Sequence, residues 1–194
     1  MRVTGGTYKG RSIAVPAGNS VRPTSDRLRE SLFNILIHAP WVEDPVVDGA
    51  HAMDLFCGSG ALGIEALSRG AAHCVFVDYA ALSLKYVSNN TAYLPGEDYK
   101  MIKAAADHLP VRPPDLLPRS LVFMDPPYHQ GLVGKALISL LRGQWLNDGA
   151  IIIAETEKKV DSIGVDGFEK LDHRVQGASE LHILRYNKST IDQD

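Results

Sequence analysis

Cysteine, tryptophan and long apolar runs are all scarce in this chain. Two cysteines, Cys57 and Cys74, and two tryptophans occur in 194 residues. There is no C-x-x-C pair, and the seven histidines show no ligand spacing, so no structural zinc or other metal is expected. No apolar stretch is long enough to cross a bilayer, and the N-terminus lacks the charged-then-apolar pattern of a secretory leader. A cytoplasmic protein is the expectation, and in a reducing compartment the two cysteines are not expected to pair. Nor is there a marked excess of charge: the net value is −3, with 45% hydrophobic and 22% charged residues. That composition is ordinary for a soluble globular protein, and the length suits one domain with a full core.

The charge is unevenly spread. Residues 1–37 hold Arg2, Lys9, Arg11, Arg22, Arg27 and Arg29 against Asp26 and Glu30, a net +4 that leaves −7 for the remainder. A basic leading segment on an acidic body fits a phosphate-contacting arm, or equally an ordinary solvated face.

Val3–Gly6 and Ser12–Val15 read as two short strands, an N-terminal hairpin extension over residues 1–20. Leu28, Leu32, Ile35 and Leu36 recur at helical spacing, which predicts an amphipathic helix from Thr24 to Ile37 capped by Thr24 or Ser25. From residue 51 strand-like and helix-like segments alternate. Strands are expected at 52–55, 74–78, 100–102, 121–124 and 150–154, with helices at 61–68, 82–87 and 134–141. Two closing strands, 168–175 and 181–186, are joined by a link short enough for an antiparallel hairpin. Alternation of this kind builds a mostly parallel sheet with helices on both faces, over residues 21–188. Residues 107–119 are Pro-rich and read as an ordered loop or a lid, and 189–194 as a polar tail.

A strand ending in Asp54, then Gly58-Ser59-Gly60, then a helix, is the first unit of a nucleotide-binding fold. The run Gly58-x-Gly60-x-x-Gly63 formally matches a dinucleotide fingerprint, a weak signal alone. Other features favour S-adenosylmethionine. No basic residue lies in the turn to hold a pyrophosphate. Asp54 can meet an ammonium directly or through water, and Asp78, 20 residues beyond Gly58, can accept ribose hydroxyls. Asp107-His108 follows the third strand, where a carboxylate can bind an adenine amine. The candidate cofactor residues are Asp54, Cys57, Gly58, Ser59, Gly60, Asp78, Tyr79, Asp107 and His108.

Asp125-Pro126-Pro127-Tyr128 closes the fourth strand. An exocyclic amine is a poor nucleophile because its lone pair is delocalised into the ring. The Asp125 carboxylate and the Pro126 carbonyl can accept its hydrogens and aim that lone pair at an activated methyl. Pro126 and Pro127 stiffen the loop, and Tyr128 can stack on the base. The four residues are the candidate catalytic set, and methyl transfer to an exocyclic nitrogen is the chemistry they suit.

Arg22 to Leu36, Asp54 to Ala71 and the DPPY run together resemble the RsmD family of bacterial methyltransferases, which act on an exocyclic guanine nitrogen in small-subunit ribosomal RNA. The segment from Arg22 to Leu36 is the most family-specific of the three. The resemblance implies a class I S-adenosylmethionine-dependent (Rossmann-like) sheet of seven strands, with an RNA-facing N-terminal hairpin. It implies that Thr24 lies near the cofactor, that Asp78 holds the ribose, and that Asp125, Pro126 and Tyr128 surround the target guanine. The implied partner is small-subunit RNA or an assembling subunit; a monomer is expected, and the residues themselves, apart from the resemblance, place Arg2, Lys9, Arg11 and Arg22 along a phosphate path. Cys57 stands where alanine is usual in the family and Asp78 where glutamate is frequent. A DNA adenine or cytosine amino-methyltransferase, or an RNA-binding assembly factor without activity, are the alternatives.

Overall fold

The computed structural model describes residues 1–16, 26–42, 44–127, 131–157, 164–176 and 179–188, and all seven strand candidates from residue 51 onward form strands within it. Thr24 and Ser25, the expected caps of the first helix, lie outside the described residues, as do Arg22, Tyr128 and 189–194. In chain order the elements are α1 (Asp26–His38), β1 (His51–Leu55), α2 (Ala61–Ser68), β2 (His73–Asp78), α3 (Ala81–Asn90), β3 (Tyr99–Lys103), β4 (Arg119–Met124), α4 (Leu132–Arg142), β5 (Leu146–Glu157), β6 (Phe168–Gln176) and β7 (Ser179–Tyr186). They make one seven-stranded sheet in the order β3-β2-β1-β4-β5-β7-β6. The first five strands are parallel, and β7 enters antiparallel between β5 and β6. The expected closing hairpin is present, with a bulge in β6 between Lys170 and Asp172.

The central strands are apolar on both faces because each face is covered. Ala52, Cys74, Phe76, Leu121, Phe123, Ile151 and Ile153 face one layer, formed by Leu32, Phe33 and Leu36 of α1, Ile64 and Leu67 of α2, and Val87 of α3. Met53, Leu55, Val75, Val77, Val122, Met124 and Ile152 face the other, formed by Val133, Ala136, Leu137 and Leu140 of α4 together with Trp145. This is the three-layer α/β plan. The Pro-rich segment 107–119 is an ordered loop. The Trp145 indole donates to the Pro110 carbonyl at 2.8 Å, the Arg112 N–H donates to the Gly143 carbonyl at 2.9 Å, and the Arg119 Nε donates to the Leu117 carbonyl at 2.8 Å.

The N-terminal arm differs from the two strands expected. Arg2 and Ser12 form one isolated antiparallel bridge. The cause is competition for the backbone. Thr4 and Gly5 direct their N–H groups to the Glu65 carboxylate, Thr7 to the Ser68 carbonyl, and Ala14 to the Asn90 side chain. The arm keeps a short pairing of its own, with the Val3 N–H donating to the Arg11 carbonyl at 2.9 Å, the Ile13 N–H to the Met1 carbonyl at 2.8 Å and the Gly10 N–H to the Val3 carbonyl at 2.9 Å, and beyond it is sewn onto α2 and α3.

Glu65 is fully buried and carries most of that seam. Its Oε1 accepts from the Thr4 hydroxyl at 2.6 Å, the Gly5 N–H at 2.9 Å and the Arg69 Nε at 2.8 Å. Its Oε2 accepts from the Thr4 N–H at 2.9 Å and the Arg29 Nε at 3.1 Å. Arg29, also fully buried, pairs in addition with Asp26 at 3.0 Å and donates to the Arg2 carbonyl. Arg29 thus joins Asp26, three residues before it on α1, to Glu65 of α2. Burial alone would push the Glu65 carboxyl up; hydrogen bonds from Thr4, Arg69 and Arg29 outweigh it and hold the group below the usual range.

Removing one member of a buried, hydrogen-bonded charge group leaves the others uncompensated. Glu65→Ala is expected to destabilise the fold by about 3–5 kcal/mol in chemical denaturation. Because the folded-state pKa is lowered, the Glu65 contribution is full above the ordinary glutamate range and is lost as pH falls through the lowered value. The difference in stability between parent and variant should shrink in acid, and a difference that is constant with pH would contradict the ionised role.

Candidate active site

The chain reverses direction across the sheet after β3: β2 and β3 lie on one side of β1, and β4 on the other. In open α/β sheets the crevice at the carboxyl ends of the strands flanking such a switch point is the natural ligand site. The glycine turn leaves β1 there, and Asp125 leaves β4 there, since Leu55 of β1 is paired with Met124.

The turn is built by left-handed backbone. Gly58 (φ 53°) and Gly60 (φ 80°) adopt it freely, whereas Phe56 (φ 58°) adopts it at a cost of about 1–3 kcal/mol, the kind of local strain that collects at binding sites. The Gly60 N–H closes on the Cys57 carbonyl at 2.7 Å. Gly63 serves packing: a Cβ there would fall 2.3 Å from the Phe76 ring and 2.7 Å from the Cys74 sulfur. The third glycine of the fingerprint lets α2 lie tightly on β2.

The carboxylates around this turn are held by backbone donors. Asp54, 2% exposed, accepts from the Gly63 N–H at 2.9 Å and so caps α2 from beneath. Asp78, at the end of β2, accepts from the Gly58 N–H at 3.0 Å on one oxygen and from the Ala80 N–H at 2.8 Å on the other. Each Asp78 oxygen retains a second lone pair for a ligand. Burial pushes the Asp54 carboxyl well above the usual range; the Gly63 N–H opposes this, and the charges of Asp125 and Asp78 add to it. Burial, then Asp54 and Asp78, likewise push up the Cys57 thiol, so Cys57 is an inert wall of the turn. Both cysteines are buried free thiols.

Asp107 and exposed His108 follow β3 in a short 3-10 turn, with Nδ1 and Oδ1 3.2 Å apart, and the hydrogen bond from His108 lowers the Asp107 pKa. Tyr79 is 69% exposed beside Asp78. Pro126 is buried and Pro127 exposed. Arg2, Lys9 and Arg11 are all exposed on the arm, and the Arg11 guanidinium lies 4.0 Å over the Tyr93 ring. Thr24, Tyr128 and Arg22 belong to the undescribed residues.

Two participants were not visible in the sequence. The cleft that holds Asp125 is also lined by Glu155, with Leu28 and Leu32 of α1, Leu62 of α2 and Leu181 of β7. Met124 pairs with Ala154, so Asp125 and Glu155 are the next residues on adjacent parallel strands. The signal was present in the first polar residue after the apolar run 150–154, which the parallel register brings level with Asp125. The second is Asn90. Its amide donates to the Ser59 carbonyl and the Ala14 carbonyl, each at 2.9 Å, tying the glycine turn to the arm.

Asp54→Asn keeps an acceptor for the Gly63 N–H while removing a buried charge that Asp78 and Asp125 repel. The melting temperature of this variant is expected to match or exceed that of the parent. Asp54→Ala leaves the N–H unpaired and is expected to lose about 1–3 kcal/mol. Equal losses in both variants would show that the carboxylate charge, and not the acceptor, holds the turn.

Comparison with known proteins agrees with this architecture. The family model described as conserved hypothetical protein 95 matches residues 1–185. The ribosomal RNA small subunit methyltransferase D of Escherichia coli K12 is 36% identical over 157 residues, 81% of this chain and 75% of that protein. The Haemophilus influenzae protein of the same name is 31% identical, over 91% of this chain and 89% of its own. The solved structure of yhhF from Escherichia coli superposes with a TM-score of 0.79 at 30% identity, covering 96% of this chain and 98% of the other. The fold is thus that of the class I, Rossmann-like methyltransferases, and the chain belongs to the ribosomal RNA small subunit methyltransferase D family, the RsmD family, as a methyltransferase.

Proposed function

We propose that the protein transfers a methyl group from S-adenosylmethionine to the exocyclic N2 amine of a guanine in small-subunit ribosomal RNA. The observation that carries this reading is the meeting of Asp125 and Glu155 in one cleft at the carboxyl ends of β4 and β5, next to the β1–β4 switch point from which the glycine turn leaves. The residues present fit the cofactor. The turn offers close backbone approach with no cationic side chain, and Asp78 and Asp125 supply acidic groups suited to a ligand bearing an ammonium and a sulfonium. Asp78 would hold the ribose, Asp107 the adenine amine and Tyr79 the face of the adenine, with Thr24, Cys57, Gly58, Ser59, Gly60 and His108 completing the surround.

When bound, S-adenosylmethionine supplies an electrophilic methyl group on a positively charged sulfur. Asp125 and the Pro126 carbonyl accept the two amine hydrogens and turn the nitrogen lone pair toward that methyl. Tyr128 stacks on the base. Glu155 accounts for the choice of guanine: guanine presents an N1–H donor beside its N2 amine, and a second carboxylate at the level of the first accepts it. Adenine and cytosine carry an acceptor at the corresponding ring nitrogen and would leave Glu155 facing a lone pair. No protein nucleophile is required, so positioning and electrostatics supply the acceleration. Arg2, Lys9, Arg11 and Arg22 would track the RNA backbone, and the target must be unpaired or flipped out to enter the cleft. The names of the curated relatives support the RNA substrate.

Incubation with labelled cofactor and bare ribosomal RNA, assembled small subunits or DNA tests the substrate class; label in DNA alone would reject it. Asp125→Ala is expected to abolish single-turnover methylation while sparing cofactor affinity. Asp78→Ala is expected to weaken the cofactor by about 10- to 100-fold, the scale of one charge-assisted hydrogen bond. Calorimetry showing the reverse pattern would exchange the two roles. Reversing charge at Arg2, Lys9 and Arg11 together is expected to weaken RNA binding and flatten its salt dependence, and an unaltered slope would assign that patch to solvent.

A further inference from the structure

The closing hairpin brings together three side chains that are not spaced as ligands in the sequence. His173 of β6 and His182 of β7 are direct cross-strand partners, and Glu180 lies two residues before His182 on the same face of β7. Their rings stand 4.8 Å apart between centroids. The Nε2 of His173 lies 3.2 Å and the Nε2 of His182 3.8 Å from the same Glu180 oxygen, and the candidate ligand atoms all lie within 4.8 Å of one another. From these three donors we infer a divalent transition-metal site, suited first to zinc, at the β6–β7 hairpin.

The geometry supports a metal over a simple ion pair. Tetrahedral zinc with bonds of about 2.0–2.1 Å places neighbouring donor atoms about 3.3 Å apart. The two distances to the Glu180 oxygen bracket that value, and the third pair, the two imidazole nitrogens, lies within 4.8 Å, so closure needs the rings to approach each other by up to about 1.5 Å through side-chain rotation. Two imidazoles and one carboxylate are a donor set that zinc accepts and that magnesium and calcium do not prefer. The Thr156 hydroxyl, 3.1 Å from the His182 Nε2, stands near the remaining position. His182 is buried and Glu180 nearly so, which shields the site from water, while His173 is partly exposed and gives the ion a way in. An ion pair would need one histidine; here a second, buried one turns the same ring nitrogen to the same carboxylate.

The site has a structural consequence for the cleft. Thr156 follows Glu155, and Glu155 is paired with Leu181, which lies between Glu180 and His182. A bound ion would clamp β5, β7 and β6 immediately behind the wall that carries Glu155 and Leu181. The sequence expectation of no metal rested on spacing along the chain, which a hairpin contact between residues 173 and 182 does not obey.

The full chain, stripped with chelator and dialysed, is titrated with zinc by calorimetry and with cobalt by visible spectroscopy. One equivalent is expected to bind, with the absorption bands of tetrahedral cobalt and a rise in melting temperature. His173→Ala and Glu180→Gln are each expected to weaken binding at least about tenfold and to remove the rise. His173 lies at a partly exposed edge, so its variant should keep the metal-free melting temperature of the parent. Failure of the parent to bind, or equal affinity in parent and variants, would overturn the site and leave a histidine–glutamate ion pair. Neither outcome bears on Asp125 or the methyl-transfer reading, which the turnover assays test separately.

Discussion

The structure depends on one buried carboxylate. Glu65 gathers hydrogen bonds from the arm through Thr4 and Gly5, from α1 through Arg29 and from its own helix through Arg69. None of these segments would hold its place alone. The arm has one bridge, and α1 reaches the sheet through its apolar face, including the ring contact of Phe33 with Phe123 at 5.6 Å between centroids. By fixing α1, Glu65 also fixes Leu28 and Leu32, which wall the cleft around Asp125. A carboxylate outside the cleft therefore determines its shape. The net charge of the group is balanced by geometry: two arginines face Glu65 and one of them also meets Asp26.

Beneath the cleft the logic is reversed, and the carboxylates of Asp54 and Asp78 are held by main-chain donors. Gly63 serves Asp54, and Gly58 with Ala80 serves Asp78. A site held this way is firm, because the donors belong to the turn itself, and it keeps a negative potential for a cationic ligand. The repulsion between Asp54, Asp78 and Asp125 is a stability cost concentrated where binding would relieve it.

Much of this was legible in the sequence. The apolar runs of β1, β2, β4 and β5 are unambiguous because both faces of a central parallel strand are buried, and the glycine turn and the acidic strand ends stand at fixed offsets from them. What sequence reading missed has a common cause: pairing between distant segments. Asn90 meets Ser59 and Ala14; Glu155 becomes a neighbour of Asp125 only through the β4–β5 register; His173 meets His182 only through the hairpin. The arm's residues have strand character, and Val3 and Ile13 do pair across it, but Glu65 and Asn90 take the N–H groups of Thr4, Gly5 and Ala14, so the pairing does not extend into two strands. The roles expected of Thr24, Arg22 and Tyr128 fall on residues that the structure does not describe.

The bulge between Lys170 and Asp172 has a consequence of its own. β6 is the last strand of the sheet, and its far side presents main-chain groups that another chain could add to. The register shift breaks the regular pleat at mid-strand, and Glu169, Lys170, Asp172 and Arg174 crowd that border with alternating charge. An intruding strand would meet a twisted, charged rim instead of a flat template, so the fold discourages fibril-like association at this one of its two margins.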